Sequence, residues 1–393
     1  MKITKVEIFD LDIPSVGTDW HPVVVRVITD EGYSGIGEIG LAYGAGHSAG
    51  AGMIKNLAEL CLIGADPFQT EKLWDVMQKR SFWGLGGGPV VFGAMSAIDI
   101  ALWDIKGKVL NLPVYRLLGG PCREELRAYA SQIQFGWGPG KAWNLCRPEE
   151  YAEDTLRIME EGFDCIKINP IRYDEQGNFI PGLNGILPIK TLNMIVERVK
   201  VMREAGGDKL DIIVEMNSRA SVSAAIQIAK RLEEFHCMYL EEPVHFLDLA
   251  LIRKVSEKVN IPLAGGERLY TRWGFHSFIE AQVLDVIQPD IGLAGGFTEV
   301  KKICDMAHMF DLSAQIHVCG GPVASAAALH MEAAIPNFII HEHHVRGIKP
   351  GTREICLKDY QPVNGRFKVP DGPGLGITLN DSVVYKSPHY TVS

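Results

Sequence analysis

Short apolar runs through the second part of the chain end, one after another, on an ionisable residue. The runs are IIVE (212–215), MYLE (238–241), PLAGGE (262–267), VIQ (286–288), SAQIH (313–317) and FIIHE (338–342), preceded by RAYAS (127–131) and CIKIN (165–169). From Glu215 the polar ends continue with Glu241, Glu267, Asp290 (just past its run), His317 and Glu342, at spacings of 26, 26, 23, 27 and 25 residues. Between the runs lie amphipathic segments such as PEEYAEDTLRIMEEG and ASVSAAIQIAKRLEEF. Alternating strand and helix in units of this length predicts a parallel sheet, and eight such strands predict a closed barrel. In a parallel barrel every C-terminal strand end opens on one mouth. Six ionisable groups from six strands therefore converge there.

The first 120 residues read differently. KITKVEIFDLDI, HPVVVRVITD and YSGIGEIG read as antiparallel strands, with a turn at Asp30-Glu31-Gly32. GAMSAIDIALWDIKGKVL reads as a long buried helix stopping near Asn111-Leu112-Pro113. Strands followed by helices make an α+β domain. A length of 393 residues suits two domains.

Composition narrows the function classes. Apolar residues make up 47% and charged residues 22%, which fits a globular protein. No apolar run reaches the ~18 residues of a membrane span, and the start lacks a signal-peptide core, so a cytoplasmic protein is expected. Net charge is −9 with no basic stripe, which argues against nucleic acid as a partner. The eight cysteines form no C-x-x-C pair and read as reduced, buried thiols.

Three of the strand-end acids, Glu215, Glu241 and Glu267, lie on consecutive strands. Carboxylates this close repel unless a cation sits among them. Three hard oxygen donors with room for water and substrate suit Mg²⁺. His317 and Asp290 sit on neighbouring strands at the same mouth. A carboxylate orients an imidazole and raises its basicity, so the pair is a candidate general base. Asn217 follows Glu215 by two residues, and strand alternation puts both on one face.

Three other stretches carry weaker signals. GLGGGP (84–89) lacks the lysine and hydroxyl of a phosphate loop and reads as a turn before a helix. HEHH (341–344) resembles a zinc tract, but strand alternation sends only Glu342 toward the site, with His343 in a supporting position. Residues 170–187 form a long Gly/Pro/Asn loop of the kind that covers a site.

Taken together, SAIDIALWDIKGK, PVYRLLGG, IIVEMNS, YLEEPVH, LAGGERLYTRWGF, QPDIGLAGG, IHVCGGPV and PDGPGLGITLN resemble the enolase superfamily, mandelate racemase subgroup. Among its members, the closest likeness is to the D-galactonate and D-mannonate dehydratases. The resemblance implies a modified TIM barrel, (β/α)7β, over residues 124–355, with an α+β cap from 1–123 completed by the C-terminal segment 356–393. It implies one Mg²⁺ held by Glu215, Glu241 and Glu267, with His317 and Asp290 as base and Glu342 bonded to the substrate carboxylate. Lys167 and Tyr173 join the expected catalytic set. Asn169, Asn217, Trp20, His21 and His47 are the expected substrate contacts, the last three from cap loops at 17–21 and 43–47.

The implied reaction takes the α-proton of an acid sugar (galactonate, mannonate or gluconate) through an ene-diolate and expels the β-hydroxyl, leaving a 2-keto-3-deoxy acid. A Lys or His base working with Mg²⁺ is a long-established pattern of the superfamily. A homo-oligomer is expected. Two residues depart from the pattern. Racemases of the subgroup carry Lys-x-Lys where this chain has Lys167-Ile168-Asn169, so a base is missing. Sugar dehydratases commonly carry histidine as general acid where this chain has Asn217, and an amide delivers no proton. Asn217 either grips a substrate hydroxyl or marks altered chemistry. An epimerase or cycloisomerase, and a metal-dependent sugar-acid binder without catalysis, remain as alternatives. The general acid is His317 acting twice or Tyr173.

Overall fold

Strands β1 (Ile3–Asp10), β2 (Val23–Thr29) and β3 (Ser34–Ile39) pair antiparallel at the start of the chain. The computed structural model describes residues 1–140 and 144–393. Alternation along β2 feeds two cores: Val23, Val25 and Val27 join one apolar cluster, while Val24 joins the other. The helix Pro89–Leu110 crosses the first of these faces, with its apolar residues running all round it. It approaches β3 closely because Gly35 and Gly37 carry no side chain. A Cβ there would stand 2.0 and 1.9 Å from the carbonyl oxygens of Ala101 and Ala97. Asn111, at φ 54°, stops the helix in the left-handed region.

The barrel strands are β4 (Glu125–Ser131), β5 (Cys165–Ile168), β6 (Asp211–Glu215), β7 (Tyr239–Glu241), β8 (Leu263–Gly265), β9 (Val286–Ile287), β10 (Ser313–Ala314) and β11 (His341–His344). They pair parallel in the order β10-β9-β8-β7-β6-β5-β4-β11. A parallel bridge from Ala314 to Phe338 joins β10 to the segment entering β11, which closes the ring. One long helix follows each strand from β4 to β10, giving (β/α)7β. The helix Val222–Leu232 shows why these segments fold as they do. Ala224, Ala225, Ile228, Ala229 and Leu232 make one buried stripe, and the Ser221 hydroxyl accepts from the Ala224 N–H at 3.3 Å. Such a cap contributes about 1 kcal/mol.

Several strands are shorter than their apolar runs. β9 and β10 keep two residues each, because the backbone leaves the ladder before the polar ends; a bridge from Asp290 to His317 resumes the pairing. The C-terminal segment divides. β12 (Arg366–Lys368) adds antiparallel to β4 of the barrel, and β13 (His389–Val392) adds antiparallel to β1 of the cap.

Two cap carboxylates fasten the layers together. Glu38, at the end of β3, accepts from the N–H groups of Gly321 and Ala324 at 2.5 and 2.9 Å, at the start of the helix Pro322–Ala334. Asp99 accepts from Thr298 N and Oγ1 at 2.9 and 2.6 Å, at the start of Gly296–Met309. Helix N-termini favour anionic partners. No helix among the described residues is long and apolar enough to cross a membrane.

Candidate active site

Register builds the site. β6 and β7 place Glu215 opposite Glu241, and β11 sets Glu342 opposite Tyr129 of β4. Oxygens from Glu215, Glu241 and Glu267 come within 4.8 Å of one another. Lys167, also buried, puts its Nζ 2.7 Å from Glu241, 2.9 Å from Glu342 and 3.6 Å from Glu215. Gln288 donates to Glu241 at 2.7 Å. Ser131 donates to Glu342 at 2.5 Å, and the Val318 N–H donates to it at 3.1 Å.

One lysine does not neutralise this many carboxylates. The Oε2 of Glu215 is buried and has no hydrogen-bond partner among the described residues. Burial, and then the Glu241 charge beside it, push the Glu215 carboxyl well above its ordinary range. Burial also works against ionised Glu241, but Lys167 and a hydrogen bond from Glu215 together outweigh it and hold that group low. An orphaned buried oxygen among three carboxylates is a donor set for a hard divalent cation. The residues therefore fit a metal.

His317 stands on the rim of this cluster. Its Nδ1 is 2.7 Å from Asp290 Oδ2, and its Nε2 is 3.1 Å from Glu267. The Gly292 N–H donates to the other Asp290 oxygen at 2.7 Å, which fixes the carboxylate. Burial acts to lower the His317 pKa, but Glu267, Glu342 and Asp290 outweigh it and push it well up.

The chain past β6 turns through the left-handed region at Asn217 (φ 46°) and Ser218 (φ 59°). Asparagine tolerates that conformation better than most residues. The turn brings the Asn217 N–H to 2.5 Å from Glu215 Oε1, and its side-chain oxygen accepts from Asn169 at 2.6 Å. Asn217 itself lines the cavity. Asn169 stands behind it, fully buried.

Glu267, His317, Glu342 and Asn217 line one cavity of about 310 Å³. Several expected contacts do not line it. Trp20 is fully buried and stacks on His344 at 5.8 Å. His21 stacks on His47 at 4.3 Å, and His47 is held by Asp10 at 2.7 Å, away from the cavity. Tyr43, Leu41 and Pro89 are the cap residues that reach it instead. Lys167 lies beneath the carboxylates rather than on the cavity wall. The Tyr173 ring packs nearly perpendicular to Phe135, in a segment bridged to Phe179; its neighbour Arg172 faces the cavity in its place.

The HEHH stretch also needs correcting. Alternation sends His344 to the same face as Glu342, and it lines the cavity too. His343 faces the opposite way, among Trp137, Phe163 and Phe367 at 5.9, 6.1 and 5.4 Å. Burial pushes its pKa down to about 3. The folded value lies below the unfolded one of about 6.5. As pH falls through that window the unfolded chain takes the proton first, and stability falls by up to ~1.4 kcal/mol per pH unit from this group. His343→Phe removes that term. Thermal unfolding at about pH 7.5 and about pH 5.5 should show the variant gaining on the wild type at the lower pH. A gap that does not move with pH would contradict this account of His343.

The cavity also holds residues that sequence spacing did not single out: Gln132, Arg172, Arg219, Arg268, Tyr270 and Arg346. Arg219 lies four residues past Glu215, so its place after a strand end was an available signal. Arg346 lies four residues past Glu342 and offered the same signal.

Comparison with known proteins agrees with this architecture. Residues 8–119 match the mandelate racemase / muconate lactonizing enzyme N-terminal domain, and residues 150–383 match the enolase C-terminal domain-like family. A structure from Zymomonas mobilis ZM4, provisionally named a dehydratase, shares 50% identity at TM-score 0.97, covering 100% of this chain and 99% of that one. A member of the enolase superfamily from Salmonella Typhimurium shares 50% identity at TM-score 0.96, with 100% of each chain covered. A Mesorhizobium loti protein, also provisionally named a dehydratase, shares 37% at TM-score 0.92, again over 100% of each chain. These likenesses support an enzyme with a dehydratase- or racemase-type reaction. The chain belongs to the mandelate racemase/muconate lactonizing enzyme group of the enolase superfamily.

Proposed function

We propose that the protein is a Mg²⁺-dependent dehydratase of an acid sugar. The observation that carries this reading is the His317–Asp290 pair at 2.7 Å, with Nε2 on the same cavity as Glu267 and Glu342. Glu215, Glu241 and Glu267 would hold the cation. A bound Mg²⁺ supplies Lewis acidity, drawing charge from the substrate carboxylate and acidifying its α-carbon.

The chain's own residues do the rest. Asp290 accepts from Nδ1–H; Nε2, paired with Glu267 at 3.1 Å, would take the α-proton once Glu267 is committed to a cation and the ring has given up its second proton. The ring is then imidazolium and can return that proton to the departing β-hydroxyl, which leaves as water. One histidine serves both steps when proton and hydroxyl depart from one face. Asn217 offers only N–H donors and grips a substrate hydroxyl. Ser131 and the Val318 N–H fix Glu342 beside the carboxylate site.

The placement of Tyr173 favours the single-histidine scheme. Tyr173→Phe should change kcat by only a few-fold, measured at saturating substrate. A fall of about 10²-fold or more, the typical worth of a general acid, would make the tyrosine the acid. The function itself is tested by incubating the protein with hexonates and pentonates of varied configuration, with Mg²⁺ or with EDTA. Cation-dependent 2-keto acid supports the reading; exchange of the α-proton without dehydration favours an epimerase.

A further inference from the structure

The cavity carries more positive charge than a single substrate carboxylate needs. Four arginines line it: Arg172, Arg219, Arg268 and Arg346. Two are already neutralised. Arg268 pairs with Glu242 and Glu267, and Arg346 lies 2.9 Å from Asp19. The other two have no carboxylate partner among the described residues.

Arg172 donates from Nη2 to the Tyr43 hydroxyl at 2.9 Å, while its Nε is buried with no hydrogen-bond partner among the described residues. Arg219 makes its contact with a ring face. Both guanidiniums lie over Phe179, at 4.7 and 5.0 Å from its centroid. Burial, and then the Arg172 charge, push the Arg219 pKa down. Two like charges held together in a part-buried wall, in a chain of net charge −9, call for an anion between them. The reacting carboxylate is not that anion, because Glu342, Glu267 and His317 frame its place.

Resting on the acid-sugar dehydratase reading, we propose that the substrate carries a second anionic group, remote from the reacting carboxylate, which Arg172 and Arg219 hold. A planar fork on each arginine suits either a terminal carboxylate or a terminal phosphate. The substrate class is then a sugar diacid or a phosphorylated sugar acid rather than a simple aldonate. Phe179 keeps the two forks stacked and in place.

The test compares three acids of matched configuration: a hexonate, the corresponding hexarate and the 6-phosphohexonate. With the Mg²⁺-loaded protein, one of the two-anion acids should exceed the hexonate in kcat/KM by at least about 10-fold. Which of the two wins identifies the terminal group. Arg219→Gln and Arg172→Lys should each lower that preference ratio by about 10- to 150-fold, the worth of a lost hydrogen bond to a charged group. A hexonate preferred over both, or a ratio unmoved in both variants, overturns the proposal while leaving the dehydratase reading intact. If none of the acids yields 2-keto acid, the dehydratase reading fails, and binding decides the arginine pair. Thermal shifts of the Mg²⁺-loaded His317→Asn protein should then be larger with a two-anion acid than with the hexonate. Equal or smaller shifts overturn the pair's role.

Discussion

His317→Asn is expected to lower kcat for 2-keto acid formation by about 10²–10⁴-fold or more, the range that a positioned acid–base group supplies. The same change should stop α-proton exchange with solvent. Asparagine preserves a donor toward Asp290 but has no basic nitrogen. Asp290 cannot substitute, because it does not line the cavity and one of its oxygens is held by the Gly292 N–H at 2.7 Å. In the single-histidine scheme this variant loses both proton transfers, so dehydration and exchange fall together. Exchange at the wild-type rate in the variant would place the base elsewhere, with Lys167 the nearest other amine. Its Nζ is shared among Glu241, Glu342 and Glu215, which keep it protonated.

Glu241→Gln should remove the response to Mg²⁺ altogether. In the wild type, a ligand that binds only the folded state stabilises it by RT ln(1 + [L]/Kd), about 2.7 kcal/mol at 100 times Kd. Adding Mg²⁺ should therefore raise the wild-type Tm in proportion to log concentration and leave the variant's Tm flat. Turnover should be lost with it. The amide keeps the shape of the side chain, and Lys167 retains Glu342 and Glu215 as partners, so the barrel stays folded. A variant that still turns over, or still gains stability from Mg²⁺, would contradict the assignment of Glu241 as a ligand.

The carboxylate cluster and the His317–Asp290 pair were legible because they follow from period. A βα unit of near-constant length returns each strand end to the same mouth, so Glu215, Glu241, Glu267, Asp290, His317 and Glu342 could be placed together by spacing alone. The buried helix Pro89–Leu110 was legible for a similar reason, since apolar residues all round a long helix require packing on both sides. What escaped depends on how the loops fold. Tyr173 and Arg172 are adjacent, and only the bridge between Tyr173 and Phe179 decides which of them faces the cavity. Trp20, His21 and His47 pack on His344, one another and Asp10 rather than lining the cavity. His344 follows from the same alternation that selects Glu342, two residues on. Asn217 does not continue its strand, because the left-handed turn at 217–218 intervenes. Arg268 pairs with its neighbour Glu267 and with Glu242, 26 residues back, whereas the partner of Arg346 lies 327 residues away, so no local pattern separates Arg346 from the unpaired Arg172 and Arg219.

Proton NMR of a turning-over reaction in D₂O tests the central claim most directly. With Mg²⁺ and an acid sugar that the protein accepts, the C2 proton signal should disappear together with the C3 hydroxyl-bearing methine, and a C3 methylene carrying one deuterium should appear. Under EDTA the spectrum should stay unchanged. Deuterium at C2 with the C3 carbinol intact, or binding of the acid with neither signal altered, would contradict dehydration through α-proton abstraction by His317.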